Sequence, residues 1–233
     1  MMNLFKKYRY TGGLAALALF FVVTLDACKK SSDEVPEVVG NAKMKYVNAQ
    51  SGSQPQEAFI GDTKVSTAPV AYNNSSDYLT VSAGTRTLSF KDQTSGTLSA
   101  SSQLNIPADV NFTSYYVKNA QGTGQVLALL DDLTPPAPST QARVRFLNLG
   151  ATFTNGVNVT EIAGGNQFIS SLLFGNVSQY FMIPPNTALK VSPVGAITAT
   201  DIPTGTFAAG KIYTVWINAN ANGNAEAHIV VHN

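Results

Sequence analysis

The sequence predicts an all-β protein built from two tandem sandwiches, and three observations carry that prediction. Charged residues make up only 12% of the 233, while Ser, Thr, Asn and Gly are abundant, a balance that favours short strands and turns over solvated helices. No segment after residue 40 shows a sustained apolar stripe of period 3.6; short alternating stretches separated by turn signals take its place. The chain also matches itself at a spacing of about 100 residues, the mark of a duplicated unit.

Residues 1–27 read as a signal peptide that is removed. Lys6, Lys7 and Arg9 precede an uncharged run from Leu14 to Val23, followed by Thr24-Leu25-Asp26-Ala27-Cys28, which is the order of a basic region, an apolar region and a cleavage site. A run of about 10 residues is half of the ~20 that a helix needs to cross a bilayer, which disfavours a permanent span. Leu25-Asp26-Ala27-Cys28 resembles the lipobox of bacterial lipoproteins, with a branched apolar residue three before the cysteine and a small one directly before it; Asp26 departs from the pattern. The resemblance implies cleavage between Ala27 and Cys28, a diacylglyceryl group on the Cys28 thiol and an acylated amino terminus. Several acyl chains anchor stably where one binds only marginally. The expected partner is therefore the membrane, reached through an N-terminal lipid anchor. The expected location is the outer membrane of a Gram-negative envelope, periplasmic or surface-exposed.

Cys28 is the only cysteine, so there is no intramolecular disulfide and no cysteine-based metal cage. The net charge is +1 and becomes close to neutral once Lys6, Lys7, Arg9 and Asp26 are cut away. Without a basic stripe to neutralise phosphates, nucleic acid is set aside as a partner. Residues 28–41 open with Lys29-Lys30-Ser31-Ser32-Asp33-Glu34, polar and aperiodic, the composition of a flexible tether.

The first unit spans 42–133 and the second 142–233. Lys43–Ala49 answers Arg143–Leu149; Tyr72, Ser76 and Tyr78–Val81 answer Phe174, Ser178 and Tyr180–Ile183; Ala108–Thr113 answers Ala209–Thr214. Arg86–Phe90 puts Leu88 and Phe90 on one face and hydroxyl residues on the other, the pattern of a strand with one wet side. Phe112–Val117 and Ile212–Ile217 are apolar or aromatic on both faces and should be central strands. Between the units, residues 134–141 hold Pro135, Pro136 and Pro138, which suit a stiff linker. Each unit is large enough to hold its own core, and the two are expected to fold separately.

The basic and aromatic first strand ending in Asn, the Tyr before a short apolar strand, and the late Gly210-Lys211-Ile212-Tyr213-Thr214 strand resemble the extracellular bacterial family catalogued as domain of unknown function DUF4397. The resemblance covers both units, more closely the second, since Asp109 stands in the first unit where Gly210 stands in the second. It implies immunoglobulin-like or transthyretin-like β-sandwiches in a secreted or envelope protein, and it brings no reaction and no catalytic residues.

Candidate chemistry is sparse. His228 and His232 are the only histidines and no Gly-x-Ser-x-Gly elbow occurs, so a nucleophile–base pair has little to build on. The two histidines are expected as exposed end-strand residues. Asp131-Asp132 is the carboxylate pair to weigh for acid–base or glycosidic work, but neighbours on a strand point to opposite faces, and a solvated strand end is the expectation. No dense Asp/Asn loop suits calcium, and no metal or other cofactor is expected. Tyr115, Tyr116 and Trp216 could form a sugar-stacking platform, although at central-strand positions core is the stronger reading. Asn48 and Asn148, each ending a first strand, should close Asx-type turns.

The functional expectation is a non-catalytic, lipid-anchored envelope protein acting as a structural, adhesive or ligand-binding module, its partner a glycan or an envelope protein. One alternative is a glycan-binding lipoprotein of a polysaccharide-capture system; a second is a hydrolase with an unrecognised site.

Overall fold

The computed structural model describes residues 40–233, which are all β with no helix. The expected signal peptide, the expected Ala27–Cys28 cleavage site and nearly all of the expected tether lie outside the described residues. The first unit contains β1 (Asn41–Asn48), β2 (Gln56–Ile60), β3 (Thr63–Lys64), β4 (Leu79–Ser82), β5 (Gly84–Asp92), β6 (Leu98–Ile106), β7 (Asn111–Lys118) and β8 (Gly124–Leu130). The second contains β9 (Ala142–Asn148), β10 (Val157–Glu161), β11 (Gln167–Leu172), β12 (Phe181–Ile183), β13 (Leu189–Pro193), β14 (Thr200–Ile202), β15 (Ile212–Ala219) and β16 (Ala225–Val231).

The internal repeat of the sequence is a repeat of topology. Each unit is a sandwich of two four-stranded sheets: an outer sheet, β3-β2-β5-β6 or β11-β10-β13-β14, and an inner sheet, β4-β1-β7-β8 or β12-β9-β15-β16. Even the parallel pairing of first and penultimate long strands recurs, β1 with β7 and β9 with β15. The strands read as central, β7 and β15, occupy central places. Alternation along β1 sends Ala42, Met44 and Tyr46 into a core with Leu88, Phe90, Phe112 and Tyr116. Along β9 it sends Ala142, Val144 and Phe146 into the equivalent core with Val157, Val191, Tyr213 and Val215.

The other faces of the inner sheets are not wet. Val47, Ala49, Tyr115 and Val117 of the first unit and Leu147, Leu149, Trp216 and Val230 of the second form a third buried cluster, flanked by Tyr72, Leu127, Leu129 and Phe174. The two inner sheets therefore pack on each other, and four sheets stack as outer, inner, inner, outer. The described residues all belong to one compact unit. Each sandwich on its own would leave its half of this third core in water. The linker residues 134–141 include Pro136, which is buried.

Candidate functional site

The seam between the inner sheets is apolar on one stretch and polar on another, and the repeat explains both. Lys45 and Arg145 occupy equivalent places in β1 and β9, on the faces that meet. Lys45 Nζ crosses to the carbonyl of Val231 in the second unit at 3.2 Å, and Arg145 Nη1 crosses to the carbonyl of Leu130 in the first at 2.6 Å. Leu130 and Val231 end the equivalent strands β8 and β16, so the two cations make reciprocal contacts. The next residues, Asp131 and His232, are equivalent too, and both are buried.

Arg145 Nη2 is ion-paired with Asp131 Oδ1, both side chains lying out of water. The remaining contacts close a ring. Arg145 Nε donates to Thr214 Oγ1 at 2.9 Å, Thr214 Oγ1 lies 2.8 Å from His232 Nε2, and His232 Nδ1 lies 2.9 Å from Tyr78 Oη. Tyr78 Oη and Thr113 Oγ1 donate to Asp131 Oδ2 at 2.7 and 2.6 Å. Because the Tyr78 proton goes to the carboxylate, the hydroxyl oxygen must accept from Nδ1–H, and Nε2 then accepts from Thr214. One assignment satisfies every member, with His232 neutral. Burial, partly offset by Asp131, agrees in pushing His232 down to about 4. Burial also raises the Tyr78 hydroxyl far above its ordinary value. Lys45 is lowered by burial, with Asp77 and Asp131 opposing, and its ammonium sits 5.0 Å from the Tyr78 ring centroid.

These positions correct two expectations. Asp131 is not a solvated strand end but the anion of the seam. Asp132, on the opposite face as strand alternation requires, is exposed and pairs with Arg143, whose hydrogen bond holds its carboxyl well below the usual range. Neither histidine is an exposed end-strand residue: His232 is buried, and His228 is mostly covered, stacked on Trp216 at 4.1 Å between centroids and reaching Tyr72 Oη at 3.1 Å. His228 is lowered by burial against the pull of Glu226, and Tyr72 is pushed up to about 12 by burial and by Glu226.

The platform alternative for Tyr115, Tyr116 and Trp216 does not hold, since their relative exposures are 0%, 3% and 1%. Tyr115 and Trp216 sit at equivalent places in the seam, and Tyr116 packs in the first core, stacked on Phe90. Asn48 and Asn148 close the expected turns. Asn48 Oδ1 accepts from Gln50 N and Asn148 Oδ1 from Gly150 N, while their amides donate to backbone carbonyls. Cys28, the expected lipidation site, lies outside the described residues. Among those residues no group of three or more His, Cys, Asp or Glu could hold a metal ion.

At one end of the seam the chain leaves a groove of about 470 Å³, lined by turns at 50–52 and 118–122 of the first unit and at 151–152 and 218–221 of the second. The turns are equivalent in pairs and tied down alike. Asn119 Oδ1 accepts from Gln121 N and Thr123 N, as Asn220 Oδ1 does from Asn222 N and Asn224 N. Gln50 Oε1 accepts from Lys118 N, and Asn218 Nδ2 crosses the seam to the carbonyl of Ala49 at 2.6 Å. None of the lining residues is acidic or aromatic. β1 enters at Asn41 and ends at Asn48, just before the groove. The groove thus lies roughly 25 Å, the length of one strand, from Asn41 at the start of β1. A smaller apolar hollow of about 220 Å³ lies between β6 and β8, lined by Leu104, Ile106, Phe112 and Leu130 among others.

Comparison with known proteins adds a family over part of the chain. Residues 42–155 match the model of DUF4397, a domain of unknown function. The matched stretch contains the whole first sandwich and β9, and therefore both partners of the Asp131–Arg145 pair. No curated protein matches. Among solved structures, the chain is similar to CBMbc (family CBM26) from Amy13K of Eubacterium rectale, solved with maltoheptaose, at 11% identity over 81% of this chain and 96% of that one, TM-score 0.25. It is also similar to a structure described as a cell adhesion protein of Bacteroides uniformis, at 12% identity over 85% and 98%, TM-score 0.27. A third, described as polysaccharide binding proteins (DUF1812) of Bacteroides thetaiotaomicron, gives 11% identity over 82% and 95%, TM-score 0.24. Likeness at these scores carries no functional argument.

Proposed function

We propose that this chain is a non-catalytic binding module of a Gram-negative cell envelope, held on the outer membrane by lipid on Cys28. The observation that carries the reading is the fusion of two sandwiches through a buried, ion-paired seam into one body, with a concave polar surface at the end away from the tether. Such a body holds its surface rigid at a distance from its point of attachment, which suits capture or adhesion. The anchor is supported by the apolar run from Leu14 to Val23 and by Leu25-Asp26-Ala27-Cys28.

The hydrolase reading loses its carboxylate pair. Asp131 is committed to Arg145, and Asp132 lies on the opposite face beside Arg143. Glycan capture gains from the groove, whose turns offer amide and hydroxyl groups.

The anchor is tested by growing cells on an alkyne-bearing fatty acid. The wild-type chain should take up label and fractionate with membranes, and Cys28→Ala should do neither. An unlabelled wild type would end the anchoring proposal. Release of sugar from polysaccharide substrates by the purified chain would end the non-catalytic one.

A further inference from the structure

We infer that the groove at the end of the seam is a saccharide site, shaped for a linear hydroxyl-rich strand crossing from one sandwich to the other. The inference deepens the reading of the chain as a binding module and does not depend on its anchor. The groove is jointly built: neither sandwich alone supplies both walls. Its walls are related by the repeat, so one chemical motif is offered twice, once by Asn119 and once by Asn220. In each, Oδ1 is held by two backbone N–H groups of its own turn. What each can offer a ligand is its Nδ2, with two N–H donors. A duplicated donor suits a ligand that itself repeats.

The remaining lining narrows the class. Methyl groups of Ala120, Ala151 and Ala221 line the groove, apolar but shallow, able to lie against the C–H face of a sugar ring. No larger apolar side chain lines a pocket there that would anchor a peptide residue. One cation, Lys118, is present where a phosphate polymer would call for several. Hydroxyl groups of Ser51 and Thr152 complete a surface that can both donate and accept. Because the turns are already fixed by internal hydrogen bonds, binding would order little more of the protein, which favours affinity from modest contacts.

Neutral and uronate-bearing strands share this chemistry, and affinity electrophoresis of the full chain in detergent separates them. Gels would carry starch or barley β-glucan as neutral probes, and pectin or alginate as acidic ones; β-casein serves as an extended polypeptide. At least one polysaccharide should retard the protein. Retardation confined to the acidic gels and lost in high salt or in Lys118→Gln would identify a uronate strand; retardation in neutral gels would identify a neutral one. The substitutions Asn119→Asp and Asn220→Asp keep the Oδ1 acceptor that closes each turn and remove the donor. Together they should weaken binding about tenfold or more without shifting the melting temperature, and Ala151→Trp should do the same by filling the groove. Val231→Ser, an exposed residue at the end of β16 away from the groove, should bind as wild type. Three results would each overturn the inference: no retardation by any polysaccharide, retardation unchanged in the double Asp variant and in Ala151→Trp, or binding of casein alone. A chain that takes up no lipid yet binds saccharide through these residues would sink the anchor and leave the groove standing.

Discussion

His232 shows how a single side chain can couple the stability of the seam to pH. Its ring accepts from Thr214 and donates to Tyr78 only when neutral, and its folded pKa lies near 4 against an ordinary 6.5. The unfolded chain therefore binds a proton that the folded chain refuses. The contribution is complete above pH 6.5, declines as the pH falls through 6.5 towards 4, and is gone below that, a loss of about 3 kcal/mol. Melting temperature should fall between pH 7 and pH 4 more steeply in the wild type than in His232→Gln, and parallel profiles would refute a buried neutral imidazole. Arg145 makes a second prediction. Replacing it by Ala leaves Asp131 buried without its cation, and the loss should be about 3–5 kcal/mol in chemical denaturation. Replacing Arg145 and Asp131 together by Met and Leu should cost far less, because the desolvation of both ions disappears with their attraction. A double variant as unstable as Arg145→Ala would show that the ring's geometry, rather than the uncompensated charge, is what matters.

The turn before β7 and its counterpart before β15 show a single backbone requirement met by two different residues. Asp109 has φ +60° and Gly210 φ +74°, both left-handed, so the departure of Asp109 from the repeat changes the residue and keeps the conformation. Aspartate tolerates that region better than most residues. Nothing lies closer than 3.8 Å to a methyl group placed on Gly210, so Gly210→Ala should cost only the backbone term, about 1–2 kcal/mol, while Asp109→Gly should be neutral or slightly stabilising. Equal losses at both would mean that the turn is set by side-chain contacts. At this scale the sequence was most legible. Alternation in β5, apolar residues on both faces of β7 and β15, and the turn signals report local burial directly, so the two sandwiches and their central strands could be read without a partner in view. The seam could not. Tyr115 and Trp216, on strands apolar on both faces, announced a buried second face, but periodicity does not say what covers it. Lys45, Asp131 and His232 carried the residue types that normally face solvent, and only contacts across the seam, to Val231, Arg145 and Tyr78 respectively, turn them inward. The groove left no mark at all, being made of turn residues chosen for their backbone.

One folding unit is the consequence for the whole molecule. The third core and the polar ring belong to neither sandwich alone, so heating should give one cooperative transition for the described residues. Cutting the chain within 134–141 should yield halves that expose the seam and either re-associate on mixing or aggregate. Two halves that each melt cooperatively at the parent temperature would show the seam to be energetically idle. The reciprocal reach of Lys45 to Val231 and Arg145 to Leu130 is the contact scheme of an isologous dimer, in which residue i of one subunit meets residue j of the other and the reverse. Here both subunits are written in one chain. A linker of a few residues keeps the partners at an effective concentration of the millimolar order, so association no longer depends on how much protein the cell makes. Freed from that demand, the halves can differ: Asp131 stands on one side and His232 at the equivalent place on the other, a difference that a true homodimer cannot have. The asymmetry also makes the pairing exclusive, since two first units would bring two acids and two second units none, and only the unlike pair closes the ring.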